Sequence, residues 1–64
     1  MRDPNRLVNF YNEVMTLHMK YIPDWREGQF LYNFWAWLAS KNIDPFYYET
    51  DDMLDLIKEF LHVD

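Results

Sequence analysis

The residues of this chain whose types could do chemistry are two histidines, a band of carboxylates near the C-terminus and a short polar series in the middle. Glu59 and His62 stand at the Glu-x-x-His spacing that lets two ligands reach one metal from a single helix turn. Carboxylate-bridged metal pairs need two such motifs and two further glutamates. One copy is present, so no metal ligands are assigned. His18 has no cysteine, paired aspartate or glycine-rich loop to work with, and is expected to be a core histidine bonded to a backbone carbonyl or a tyrosine hydroxyl. Ser40 is the one serine, with nothing like a nucleophile elbow around it, and a single glycine cannot build a phosphate cradle. Asp51, Asp52, Asp55 and Glu59 could serve as an acid/base pair only if burial or a like charge raised one of their pKa values. Their spacing puts them along a solvated helix face. No catalytic residues and no cofactor are therefore assigned, and the chain is read as a non-enzyme.

The polar series is Arg26, Gln29 and Asn33. Arg is a bidentate donor, Gln and Asn carry donors and acceptors together, and Phe30 and Trp37 on the border of this strip are residue types that anchor protein interfaces. These five are the predicted partner-binding residues. An acidic face of Asp51, Asp52, Asp55 and Glu59, flanked by tyrosines, supplies the alternative: a surface imitating nucleic acid that blocks a basic groove on another protein.

Three helices are needed to position these groups. Asp3 followed by Pro4 has the form of an N-cap and first helical position, starting a first helix that runs from 4 to 21. At about 100° per residue, Leu7, Tyr11, Val14, His18 and Tyr21 share its apolar face, flanked by Phe10, Leu17, Val8 and Met15. Pro23 stops it. Asp24 and Glu27 have the form of a capping box for a second helix from 25 to 40. Between Asp24 and Lys41 lie six aromatic side chains, and the second helix is apolar around most of its circumference. Leu31, Phe34, Trp35 and Leu38 point away from the polar strip, with Phe30 and Trp37 on one border and Trp25 and Tyr32 on the other. Gly28 shares a line with Tyr32, Trp35 and Ala39, which predicts close approach of a neighbouring helix.

Asn42 is placed to take the left-handed conformation that ends the second helix. Asp44 and Pro45 repeat the Asp-Pro start, predicting one turn of helix near 45 to 48 whose aromatics fold back on the core. Thr50 is the expected N-cap of a third helix from 51 to 62, with Asp51 and Asp52 where the helix dipole favours negative charge. Met53, Leu54, Leu56, Ile57, Phe60 and Leu61 form its apolar face, and Asp51, Asp55, Lys58, Glu59 and His62 the other. The fold class is all-α: one compact three-helix domain spanning 1 to 64, with a short extra helical turn before the last helix.

Size and charge narrow the function further. At 64 residues without cysteine, the chain has neither a disulfide framework nor a cysteine-based zinc site, and its core must offset the entropy of ordering unaided. Self-association is a second way to bury area. The net charge of -5 is concentrated late: residues 1 to 42 hold five Lys or Arg against four Asp or Glu, and residues 43 to 64 hold one against seven. Such a balance argues against nucleic-acid binding, including a helix-turn-helix role, which needs clustered basic and amide side chains. No apolar run is long enough for a membrane span, and the first residues do not read as a signal peptide. A cytoplasmic protein is expected, with a protein partner, a second copy of the chain being one candidate.

The opening RDPNR, the central PDWREGQFLYN and the DPFYYETDD before the last helix resemble a group of small bacterial and phage proteins. Those proteins begin Arg-Asp-Pro-x-Arg, carry Pro-Asp-Leu-Arg-x-Gly-Gln centrally, and often close with Asp-Pro-Phe-Tyr and an acidic helix start. The matching positions are Asp3, Pro4, Arg6, Pro23, Asp24, Arg26, Gly28, Gln29, Asn33, Asp44 and Pro45. Trp25 stands where that group has Leu, and Glu27 replaces what is often an apolar residue. The resemblance implies a phage or prophage origin and brings no activity with it.

Overall fold

A computed structural model of the chain describes residues 2 to 63. These hold three α-helices, α1 (Arg6–Tyr21), α2 (Glu27–Ser40) and α3 (Thr50–Phe60), with a 3-10 turn at Pro45–Tyr47 before the last helix and no strand among the described residues. The all-α three-helix reading therefore stands, with helix starts one to two residues later or earlier than the sequence predicts.

The first turn of α1 explains its late start. The N-cap is Asn5, without a side-chain cap bond, and not Asp3; the Asp3 Oδ1 accepts from the Asn5 N–H at 2.9 Å and so fixes the turn ahead of the helix. Arg6, Leu7 and Val8 then donate to the carbonyls three residues back, so residues 3 to 5 form a tight turn before α-helical bonding begins.

The predicted capping box of α2 does not form. Ile22 accepts from the Trp25 N–H at 3.0 Å, closing a turn with Pro23 at the position where its fixed φ fits. Asp24 is held inside that turn, and the N-cap passes to Arg26, in extended backbone and without a side-chain cap bond. Thr50 is likewise the first residue of α3 and not its N-cap, which is Glu49, also without a side-chain cap bond.

Two helices end in the same device. Asn42 and His62 both have φ of 58°, the left-handed conformation of a C-terminal cap. The Asn42 and Ile43 N–H groups bond back to Ala39 and Leu38, and those of His62 and Val63 to Glu59 and Lys58, at 2.9 to 3.2 Å. Both are Schellman arrangements, satisfying carbonyls that a helix end otherwise leaves bare. Asn42 fulfils its expectation. His62 corrects one: it lies beyond α3, so it no longer shares a helix face with Glu59.

The core is built from Leu17 of α1, Phe30, Phe34 and Leu38 of α2, and Ile57 of α3. Phe60 is its aromatic hub, with ring centroids 5.5 Å from Phe34, 5.6 Å from Trp37, 6.3 Å from Trp25 and 6.4 Å from Phe30. Such pairs add about 0.5 to 1.5 kcal/mol each beyond the area they bury. α3 packs against both other helices, and its apolar residues Met53, Leu54, Leu56, Ile57 and Phe60 are all at least half-buried, as its pattern predicts.

The aromatics of the 3-10 turn do not fold back on this core. Asp44 fixes the turn by accepting from the Phe46 N–H at 3.0 Å. Proline and a three-residue turn then aim Phe46 and Tyr47 outward, 82% and 78% exposed.

Candidate functional site

The buried line of α2 is Phe30, Phe34 and Leu38, spaced by four residues. On a helical wheel this line lies about 50° round from the Leu31, Phe34, Trp35, Leu38 face expected to be the centre of the core. The cause is geometric: α2 has two helical neighbours, and they cannot cover an apolar arc wider than half a circumference. The arc is buried on the Phe30 side and bare on the other.

Two predicted partner anchors are thereby reassigned. Phe30 is 3% exposed, and its ring meets His18 edge-on at 5.1 Å, so it cannot touch a partner docked on the folded domain. Trp37 is half-buried, stacked 6.1 Å from Phe34 and covered by Lys41, whose Nζ lies 5.1 Å from the ring centre. Both residues hold the domain together.

Arg26 and Gln29 of the polar strip are exposed and Asn33 is half-buried. Among the described residues none of these three side chains makes a hydrogen bond, and the one ion pair is Arg2 to Glu49 at 2.7 Å on the surface. At the other margin of the bare arc stand Leu31, Tyr32 and Trp35, exposed at 56%, 73% and 53%. Gly28, Ala36 and Ala39 between them are exposed as well. A Cβ built on Gly28 would meet nothing within 4 Å, so the close helix approach predicted for this line does not occur within the chain. The outer face of α2 is thus a broad exposed arc, apolar toward one margin and carrying, toward the other, Arg, Gln and Asn side chains that have no hydrogen-bond partner among the described residues.

This surface continues onto α1. Leu31 and Trp35 form one wall of an apolar cleft of about 290 Å³ whose other wall is Phe10, Tyr11 and Val14. Tyr11 and Val14 also open a second hollow of about 480 Å³ that runs past Met15, His18 and Met19 to Pro23 and Trp25. Tyr11, Met15 and Met19 are exposed at one-turn spacing. Contiguous exposed apolar surface of this kind marks interaction sites, where scattered single residues do not.

His18 closes the inner end of the hollow. Its Nε2 is 2.7 Å from the Trp25 carbonyl oxygen. A carbonyl can only accept, so Nε2 carries the proton, and the ring ties the α1–α2 connection to α1. The expectation of a backbone-carbonyl partner holds, while the side chain is half-buried and not fully enclosed. Asp51, Asp52, Asp55 and Glu59 are all exposed along the outside of α3, as expected of a solvated helix face. Among the described residues no three His, Asp or Glu side chains converge as a metal site.

The outer apolar residues of α2 are what sequence reasoning missed. A signal for them was present: an arc too wide for two neighbours must leave some of its aromatics bare. No helix of the described residues is long and apolar enough to cross a membrane. Compared with known proteins, the chain matches no family model, and no curated protein or solved structure is significantly similar to it.

Proposed function

We propose that this chain is a small cytoplasmic, non-enzymatic protein–protein interaction module that docks through the outer face of α2. Leu31, Tyr32 and Trp35 supply apolar anchors on one margin of this exposed arc and Arg26, Gln29 and Asn33 polar contacts on the other, the two kinds of group an interface combines. The observation that carries this reading is that the exposed arc of α2 holds three large apolar side chains toward one margin and, toward the other, three polar side chains that make no hydrogen bond or ion pair among the described residues. The resemblance to small bacterial and phage proteins falls on Arg26, Gln29 and Asn33 as well, and it supports a phage or prophage origin.

The test is affinity capture with purified wild-type and variant chains, read by mass spectrometry. Arg26→Ala and Gln29→Ala should each abolish capture and leave the melting temperature nearly unchanged, because exposed substitutions away from packing features stay within about 0.5 kcal/mol. The acidic reading predicts the reverse pattern: capture that survives both substitutions and is lost when Asp51, Asp52, Asp55 and Glu59 are changed to amides.

A further inference from the structure

Within the exposed face of α2, Gly28, Tyr32, Trp35 and Ala39 follow one another at spacings of four, three and four. That is the 3.5-residue repeat of a helix–helix seam, and here the whole seam faces outward. We infer that the partner on this seam is a second copy of the chain, with the two α2 helices antiparallel about a two-fold axis that passes between Tyr32 and Trp35. The inference rests on the docking face proposed above and names its occupant.

Symmetry is the first argument. A two-fold interface must be self-complementary, so that if residue i meets j, then j meets i. Laying the seam antiparallel against itself brings Tyr32 to Trp35 of the second copy and Gly28 to Ala39 of the second copy, each pairing occurring twice. Helical side chains lean toward the N-terminus, so the Tyr32 ring projects over the Gly28 turn. There Gly28 and the opposing Ala39 leave room for it. The open space beside Gly28, with nothing within 4 Å of an added Cβ, is what this packing requires.

Area is the second argument. The chain exposes 5218 Å², whereas a monomeric protein of its mass of 8.0 kDa is expected to expose about 4,450 Å². The excess of about 770 Å² belongs to the whole chain, Phe46, Tyr47 and the exposed side of α1 included, and is of the size, roughly 800 Å², that each partner contributes to a standard interface. The radius of gyration of 11.9 Å likewise exceeds the roughly 10.7 Å expected of a compact domain of this length. Association is one of the few ways left for a chain this short, without disulfides, to bury that surface.

Sedimentation equilibrium over a concentration series should return twice the mass of the chain. Trp35→Glu should raise the dimer Kd by roughly 1,000-fold, because each dimer loses two aromatic anchors. Should that variant unfold, cross-linking gives an independent reading in a chain that has no cysteine of its own. Tyr32→Cys mixed with Trp35→Cys should form a disulfide-linked dimer faster than either variant alone. A wild-type chain that stays monomeric at every concentration overturns the inference, as does a dimer indifferent to Trp35→Glu, or cysteines that cross-link no faster when mixed. If the chain is monomeric yet captures another protein in an Arg26-dependent manner, the second copy is excluded and the docking reading stands. If it is monomeric and captures nothing, both fail.

Discussion

Helices α2 and α3 meet around Phe60, but they use their apolar residues differently. Every apolar side chain of α3 is at least half-buried, whereas α2 buries Phe30, Phe34 and Leu38 and leaves Leu31, Tyr32 and Trp35 in solvent. α3 alternates a narrow apolar stripe with Asp51, Asp52, Asp55 and Glu59, so only one rotation about its axis hides the stripe. α2 is apolar over an arc wider than its neighbours can cover, so several rotations would bury a comparable area. The difference teaches that hydrophobicity beyond what a core can hold becomes surface. That surplus surface is where a partner can be recognised.

The largest expected effect breaks the comparison on its buried side. Phe34→Ala should cost about 3 to 5 kcal/mol, the range for removing a buried aromatic ring. That is comparable to the whole stability of a chain this size. Circular dichroism should then show a largely unfolded chain at room temperature; a cooperative melt near that of the wild type would mean that α2 is seated on another face.

A smaller effect tests what sets the rotation of α2. His18→Ala removes the bond to the Trp25 carbonyl and the edge contact with Phe30, and should cost about 1 to 3 kcal/mol by leaving that carbonyl without its protein partner. Urea titration of both proteins measures it. A loss within error would show that packing alone holds the α1–α2 connection.

The smallest effect sharpens the description of the outer face. Gly28→Ala should raise the stability of the dilute chain by about 0.4 to 1 kcal/mol, because alanine favours the helix and its Cβ meets no atom. Thermal melts at low concentration measure it, and a destabilised variant would mean that something already packs on that turn.

Part of this was legible along the chain. Asn42 announced the end of α2 because asparagine tolerates a left-handed backbone. His62 adopts the same φ without such a signal, because the Schellman bonds from His62 and Val63 to Glu59 and Lys58 favour that conformation and histidine submits to it. Asp24 and Glu27 have the letters of a capping box, yet the adjacent Pro23 commits Asp24 to a turn, and one residue cannot serve both. Of the predicted partner-binding residues, Arg26 and Gln29 could be seen as surface from their place on the wheel. Phe30 and Trp37 were misplaced because they border the strip on the side that turned inward.

Sequence alone therefore determined the number of helices, their approximate limits and the exposure of the acidic face of α3. These follow from periodicity, proline and charge, which act over a few residues. Tertiary structure decided which half of the aromatic arc of α2 is core and which is surface. That choice depends on where Leu17, Ile57 and Phe60 arrive from elements far along the chain, and no local pattern within α2 distinguishes Phe34 from Trp35.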